Sequence, residues 1–319
     1  MKRKFSFLLF FFFFQVVLAD LKIGFYRNTC PRAESIIFGA VQKRFSTDKS
    51  ITAALLRMHF HDCFVKGCDA SILIDSTDEK QSEKDAGANQ TVRGFELIDE
   101  VKQTLEDECP LTVSCADIIT LATRDAVALA GGLNYTVPTG RLDGLESNVG
   151  EVNLPGPSAP VSDVWQLFIA KGLNLNDMVT LFGGHTVGVA HCNFFQDRLS
   201  SPDGSMDPTL LNHLKRNCSS NNNGNPTAFL DQKTPFVFDN QFYKQIKLRR
   251  GILEIDQKLA EDESTAKIVS RFASNPVTFQ KSFANAMIKM GNLVAKAGEV
   301  RQNCRVINKA KNRRSQTIS

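Results

Sequence analysis

Arg57 and His61 stand four residues apart in the run Leu55-Leu56-Arg57-Met58-His59-Phe60-His61-Asp62-Cys63-Phe64-Val65. On a helix, positions i and i+4 share a face, so these two can address one ligand while His59 points elsewhere. A fixed cation beside a titratable base suits a small substrate that must lose and regain a proton. The chain continues through Lys66-Gly67-Cys68-Asp69-Ala70-Ser71, a short loop between two cysteines with carboxylates on either side. Two other chemistries compete for these residues. Cys63, Cys68 and His61 could hold zinc, but structural zinc sites use paired ligand motifs, and no second cysteine pair stands at that spacing. His59, His61 and Asp62 could instead serve a metal-dependent hydrolase. Further on, Leu181-Phe182-Gly183-Gly184-His185-Thr186-Val187-Gly188 places a histidine directly after two glycines, where a flat group could approach the backbone closely.

The elements that must carry these residues read as helices. Apolar positions recur with helical period over 34–45, 95–106, 114–130, 161–171, 176–182, 239–247, 263–273 and 280–295. Ser162 and Asn176 are expected N-caps, with Asp163 and Asp177 in first turns. Gly94, Gly131-Gly132 and Gly172 punctuate helix ends. Strand signals are weak, with one short candidate at Tyr135 to Thr139. Leu154-Pro155-Gly156-Pro157 breaks any helix and marks a seam between two halves. The 319 residues suffice for one large domain or two packed lobes.

The formal net charge of +4 gathers at the two ends, and the slightly acidic body offers nucleic acid no basic face. Lys2 to Lys4, the Phe-rich run after them and Val17-Leu18-Ala19 form a cleavable export signal over residues 1–19. Gln15 interrupts that run, which is too short for the ~20 apolar residues of a membrane span. No later segment would span. Export exposes Cys30, Cys63, Cys68, Cys109, Cys115, Cys192, Cys218 and Cys304 to oxidising conditions. Eight cysteines allow about a hundred pairings, among which sequence alone does not choose. Sequons begin at Asn89, Asn134 and Asn217.

The 55–65 run resembles the distal active-site signature of class III secretory plant peroxidases, in the haem peroxidase superfamily. Gly183-Gly184-His185-Thr186-Val187-Gly188 is similar to their proximal haem-ligand signature. The likeness runs in order through Glu83-Lys84, Arg93-Gly94-Phe95, Ser114-Cys115-Ala116-Asp117, Gly140-Arg141-Leu142-Asp143 and Asn153-Leu154-Pro155-Gly156-Pro157. It continues through Thr234-Pro235-Phe236-Val237-Phe238-Asp239-Asn240, Ile255-Asp256-Gln257 and Asn303-Cys304-Arg305-Val306. Ile255 departs from the serine usual before that aspartate. The resemblance implies an all-α haem peroxidase fold of about ten helices with minor short β elements, two lobes sandwiching one haem b. The peroxidase domain would cover 20–308, with a distal lobe near 20–155 and a proximal lobe near 156–308. A basic tail, 309–319, would follow.

The resemblance also implies roles. His185 would bind haem iron, with its other ring nitrogen donating to Asp256. His61 would move a proton within hydrogen peroxide, Arg57 would stabilise negative charge, and Asn89 would orient His61. Asn89 carries a conflict, because it also opens a sequon and the segment after it is one residue shorter than the common family pattern. Two calcium ions are implied. One maps to Asp62, Val65, Gly67, Asp69 and Ser71, the other to Thr186, Asp231, Thr234, Val237 and Asp239. Pro155 matches a contact for aromatic donors, small phenols by implication, with Gly87 and Ser158 near the same opening. The implied disulfides are Cys30–Cys109, Cys63–Cys68, Cys115–Cys304 and Cys192–Cys218, leaving Asn134 and Asn217 as the glycosylation candidates. The implied protein is a secreted monomer in the extracellular space or cell wall, with the vacuole as the alternative address. A non-enzymatic calcium-binding protein on the same scaffold is the competing reading.

Overall fold

The computed structural model describes residues 21–219, 226–294 and 297–309. The export signal and residues 310–319 of the tail lie outside the described residues. Twelve α-helices appear among those described: α1 Ala33–Thr47, α2 Ile51–Val65, α3 Phe95–Glu108, α4 Cys115–Leu129, α5 Val161–Ala170 and α6 Leu175–Phe182. They continue as α7 Gln196–Ser200, α8 Pro208–Ser219, α9 Gln241–Lys247, α10 Glu254–Glu261, α11 Ala266–Ser274 and α12 Pro276–Gly291. Two three-residue strands, β1 Val189–His191 and β2 Thr227–Phe229, pair antiparallel with Val189 opposite Phe229. The chain is therefore all-α with a minor β element.

Local chemistry sets several helix ends. Ser114 caps α4 by accepting from the Asp117 amide, 3.2 Å away. Asn275 caps α12 through the Thr278 amide at 2.9 Å, with Pro276 in the first turn, where its missing N–H costs nothing. Two expected caps move. Asn174 rather than Asn176 begins α6, because Asn174 and Asp177 exchange hydrogen bonds in a capping box. Ser162 lies inside α5, whose N-cap is Pro160. The periodic ranges do not cover α2, α7, α8 or α10, and the 135–139 stretch forms no strand, only a bridge between Lys22 and Thr139.

Helix α2 is the central element. Of its residues only Ala53, Arg57, Phe60 and the terminal Val65 are not buried. It packs against α4, which in turn packs against α1 and α3, and it meets α12 and the 3₁₀ turn Gly183–Thr186. A smaller core of Phe195, Leu199, Met206, Leu210, Leu214 and Ile252 lies beside the Cys192–Cys218 bridge.

Buried ion pairs tie distant segments together. Arg141 is 2% exposed. It donates to Asp117 at 2.7 Å and to the Gly291 carbonyl at 2.7 and 2.9 Å. Asp117 also accepts from the Tyr26 hydroxyl at 2.6 Å and the Gly140 amide at 2.6 Å. Disulfides join Cys30 to Cys109, Cys63 to Cys68, Cys115 to Cys304 and Cys192 to Cys218. The 115–304 bridge spans a sequence separation of 189. Such a loop constrains the unfolded chain by on the order of 5 kcal/mol in the chain-entropy picture.

Replacing Asp117 by Ala would strand the Arg141 charge and free three donors. Urea unfolding of Asp117→Ala is expected to show a loss of about 3–5 kcal/mol. A loss below about 1 kcal/mol would mean that this network does not hold the fold.

Candidate active site

The i, i+4, i+7 stripe of Ala53, Arg57 and Phe60 is the partly open face of an otherwise buried helix. Opposite it, Leu181, Phe182, Gly184 and His185 are also only partly buried. Together they line a cleft between α2 and the Gly183–Thr186 turn. Gly183 and Gly188 let the backbone around the turn pack tightly against its neighbours, Gly183 against α9 and α12 and Gly188 against α2. A Cβ on Gly183 would lie 2.4 Å from the Tyr243 hydroxyl and from the Phe279 ring. Gly188 has φ +95°, and a Cβ there would lie 2.7 Å from Ala53 Cβ.

His61 Nδ1 lies 2.5 Å from Asn89 Oδ1, and Asn89 Nδ2 donates to the Glu83 carbonyl at 2.7 Å. The Asn89 amide nitrogen is thereby committed, so its oxygen must accept and His61 Nδ1 must carry the proton. Nε2 keeps its lone pair and accepts from Arg57 Nε at 3.3 Å. Burial first, then the Arg57 charge, push the His61 imidazolium down to about 4, against the Asn89 bond. The ring is neutral at ordinary pH, as a proton acceptor requires.

His185 Nδ1 lies 2.8 Å from Asp256 Oδ1. Burial works against a charge on this ring, but the neighbouring Asp256 carboxylate outweighs it and raises the imidazole's basicity. Asp256 is 1% exposed, whereas a third of the His185 side chain faces the cleft. Phe182 and Phe242 meet the His185 ring edge-on at 5.5 and 6.0 Å. Nδ1 is taken, so Nε2 is the atom left to bind a metal. Ile255, at the position of the family's usual serine, is buried and bonds through its amide to the Pro157 carbonyl at 3.0 Å. The substitution leaves the His185–Asp256 pair intact.

His59 belongs to neither group. It is buried with Nε2 3.3 Å from the Thr120 hydroxyl, and burial pushes its pKa to about 3. It approaches Cys63 and Cys68 within 4.8 Å, but the two sulfurs are bonded to each other and offer no thiolate. The zinc reading fails for that reason. The hydrolase reading fails too, since His59, His61 and Asp62 diverge from one helix to three environments.

Asp62 enters an acidic pocket with Asp69, Ser71 and Glu83. Both carboxylate oxygens of Asp62 and of Glu83 are buried without a well-formed hydrogen bond. Burial raises the Asp62 pKa and pushes Glu83 up to about 7. Buried carboxylates without donors are costly, and a hard cation offsets that cost with oxygen ligation. The Val65 carbonyl accepts from Lys171 Nζ at 2.8 Å, which leaves one of its two lone pairs. Gly67 is buried in the same loop. The second expected group also assembles. Thr186 donates to Asp239 at 3.3 Å, and Thr234 donates to the buried Asp231 at 2.9 Å. The Val237 amide donates to the Thr234 carbonyl at 2.9 Å. Pro155 is partly buried, while Gly87 and Ser158 are exposed.

A family model described as Peroxidase matches residues 37–275. This chain belongs to the peroxidase family. It is 60% identical over 306 residues to Peroxidase 44 of Arabidopsis thaliana, covering 95% of this chain and 97% of the relative. It is 54% identical over 312 residues to Peroxidase 57 of the same plant, with coverage of 95% and 97%. Peroxidase 5 of Vitis vinifera is 44% identical over 303 residues, 91% of this chain and 92% of its own length. The protein is a class III plant peroxidase, a haem enzyme that takes hydrogen peroxide as its oxidant. Glu83, Thr91 and Lys171 also reach the site, although nothing in their local sequence assigns them a site role. Their positions depend on loop packing that no local pattern encodes.

The structure also bears on the peroxidase's sequons. Asn89 is 3% exposed with both amide atoms bonded, whereas Asn134 is exposed and Asn217 donates to the Thr227 carbonyl at 2.9 Å. Peptide mapping by mass spectrometry is expected to find Asn89 bare in protein from a glycosylating host. A glycan there would contradict the His61–Asn89 geometry.

Proposed function

We propose that Arg57, His61 and Asn89 handle peroxide and that His185, backed by Asp256, would hold the iron of haem b. The observation that carries this reading is the pair of oriented imidazoles across one cleft. His61 has an unprotonated Nε2 turned toward Arg57, and His185 has its Nδ1 tied to a buried carboxylate. Gly184, next to His185, has nothing nearer than 4.0 Å where a Cβ would stand, which leaves room for a flat group beside the ring. Haem, when bound, would supply the iron at which peroxide is reduced and an edge to which donors deliver single electrons.

The remaining chemistry belongs to the chain. His61 Nε2 would take a proton from one oxygen of hydrogen peroxide and return it to the other, so that water leaves rather than hydroxide. Arg57 stays protonated and stabilises the negative charge that develops on the peroxide. Asn89 prevents the His61 ring from presenting its N–H to the substrate. Asp256 makes His185 a stronger electron donor. The balance is two phenolic donors plus hydrogen peroxide giving two phenoxyl radicals plus two waters. Donors would approach beside Pro155.

Calcium at Asp62, Val65, Gly67, Asp69 and Ser71 would brace the residue next to His61. Calcium at Thr186, Asp231, Thr234, Val237 and Asp239 would brace the residue next to His185. The reading includes two lobes meeting near Pro155 and an exported monomer acting in the extracellular space or cell wall. No described helix is long and apolar enough to cross a membrane.

In stopped-flow absorbance, His61→Ala is expected to slow the reaction with peroxide by about 10²- to 10⁴-fold, and an unchanged rate would remove His61 from the chemistry. His185→Ala reconstituted with hemin is expected to lose the native Soret band. Chelation by EDTA should lower the thermal midpoint, with recovery on adding calcium. A midpoint indifferent to both would refute the calcium sites.

A further inference from the structure

We propose that Thr91 is a positioning residue for peroxide reduction, its hydroxyl fixing the Arg57 guanidinium without neutralising it. The inference rests on the role proposed above for Arg57. Three contacts account for the orientation of that side chain. Nη1 donates to Thr91 Oγ1 at 2.8 Å, Nη2 donates to the Ala88 carbonyl at 2.8 Å, and Nε points at His61 Nε2. All three acceptors are uncharged. Among the described residues no carboxylate forms an ion pair with Arg57, whereas Arg141, Arg124, Arg250 and Arg305 each do.

That difference has a physical consequence. A carboxylate would hold the guanidinium but cancel its field. A hydroxyl and a carbonyl hold it equally well in direction and leave the positive charge to act on the substrate. A long arginine side chain otherwise samples many rotamers, and freezing it in advance removes that cost from the reaction.

One short loop supplies two of these three contacts and holds the partner of the third. Ala88 and Thr91 hold Arg57, while Asn89 between them holds His61. Two tight turns stiffen it, with the Asn89 amide bonded to the Ala86 carbonyl at 2.7 Å and the Val92 amide bonded to the Asn89 carbonyl at 2.9 Å. The segment ends at Gly94, the left-handed N-cap of α3, so the loop is anchored on both sides of Thr91. The hydroxyl that makes Asn89-Gln90-Thr91 read as a sequon is thus the hydroxyl that orients Arg57. A threonine here has a reason unrelated to glycosylation.

The test compares Thr91→Val, which keeps the shape but loses the acceptor, with Thr91→Ser, which keeps the acceptor. Both are made in the full chain and loaded with haem. Three quantities are read: the second-order rate with peroxide, the fluoride dissociation constant of the ferric protein from its absorbance shift, and the rate at which guaiacol returns the oxidised enzyme to rest. Thr91→Val is expected to lose about tenfold in peroxide rate and in fluoride affinity, with guaiacol oxidation unchanged. Thr91→Ser should restore both within about twofold. A merely structural threonine would lower the thermal midpoint without this split. Peroxide rate and fluoride affinity in Thr91→Val within about twofold of wild type would overturn the proposal, as would a Thr91→Ser variant as impaired as Thr91→Val. If Thr91→Val does not fold, Thr91→Ala carries the same comparison. Failure of the underlying reading looks different, because the wild type itself would then show no reaction with peroxide.

Discussion

The hydrogen bond between His61 and Asn89 is the constraint on which the site depends. It selects the tautomer of a buried imidazole, and it does so only because the Asn89 amide is already bonded to the Glu83 carbonyl. Glu83 is itself held by its amide, which donates to the Ser147 hydroxyl at 2.9 Å, while its buried carboxylate reaches into the acidic pocket. A chain of contacts therefore runs from Asp62, Asp69 and Glu83 through Asn89 to His61. In the proposed chemistry, a cation in that pocket would be coupled to the proton carrier through two side chains and one carbonyl. Helix α2 closes the circuit, since Asp62 follows His61 directly in the sequence.

The site stacks opposite electrostatic solutions on one scaffold. Around His61, burial and a nearby guanidinium keep the ring neutral. Around His185, a buried carboxylate raises its basicity. The two rings differ in environment rather than in kind, and the environments are set by which loops pack on which helix. The same logic separates His59, which has lost its solvent and gained only a threonine hydroxyl.

Helices α1 and α3 to α6 are legible from apolar periodicity, whereas α2, buried on nearly every side, is legible only through the spacing of Arg57 and His61. Short α10 is not, since two of its four buried residues, Asp256 and Gln257, are polar and blur the apolar period. The caps moved where two candidates lay close together. Asn174 prevails over Asn176 because only Asn174 has Asp177 at the spacing of a reciprocal cap. The β1–β2 pair was invisible because three-residue strands carry almost no alternation.

The sequence by itself determined the identity of the reacting groups. Arg57 and His61 share a helix face by spacing alone, and the motifs around them and around His185 are long enough to point to one family. Tertiary structure decided everything that needs two distant segments to meet. It chose one set of disulfides, buried Asn89 against its own sequon, separated His59 from His61, and gathered the unpaired oxygens of Asp62 and Glu83. The physical reason is that helical spacing is a local property, whereas a tautomer, a burial cost or a pKa belongs to the groups that packing brings near.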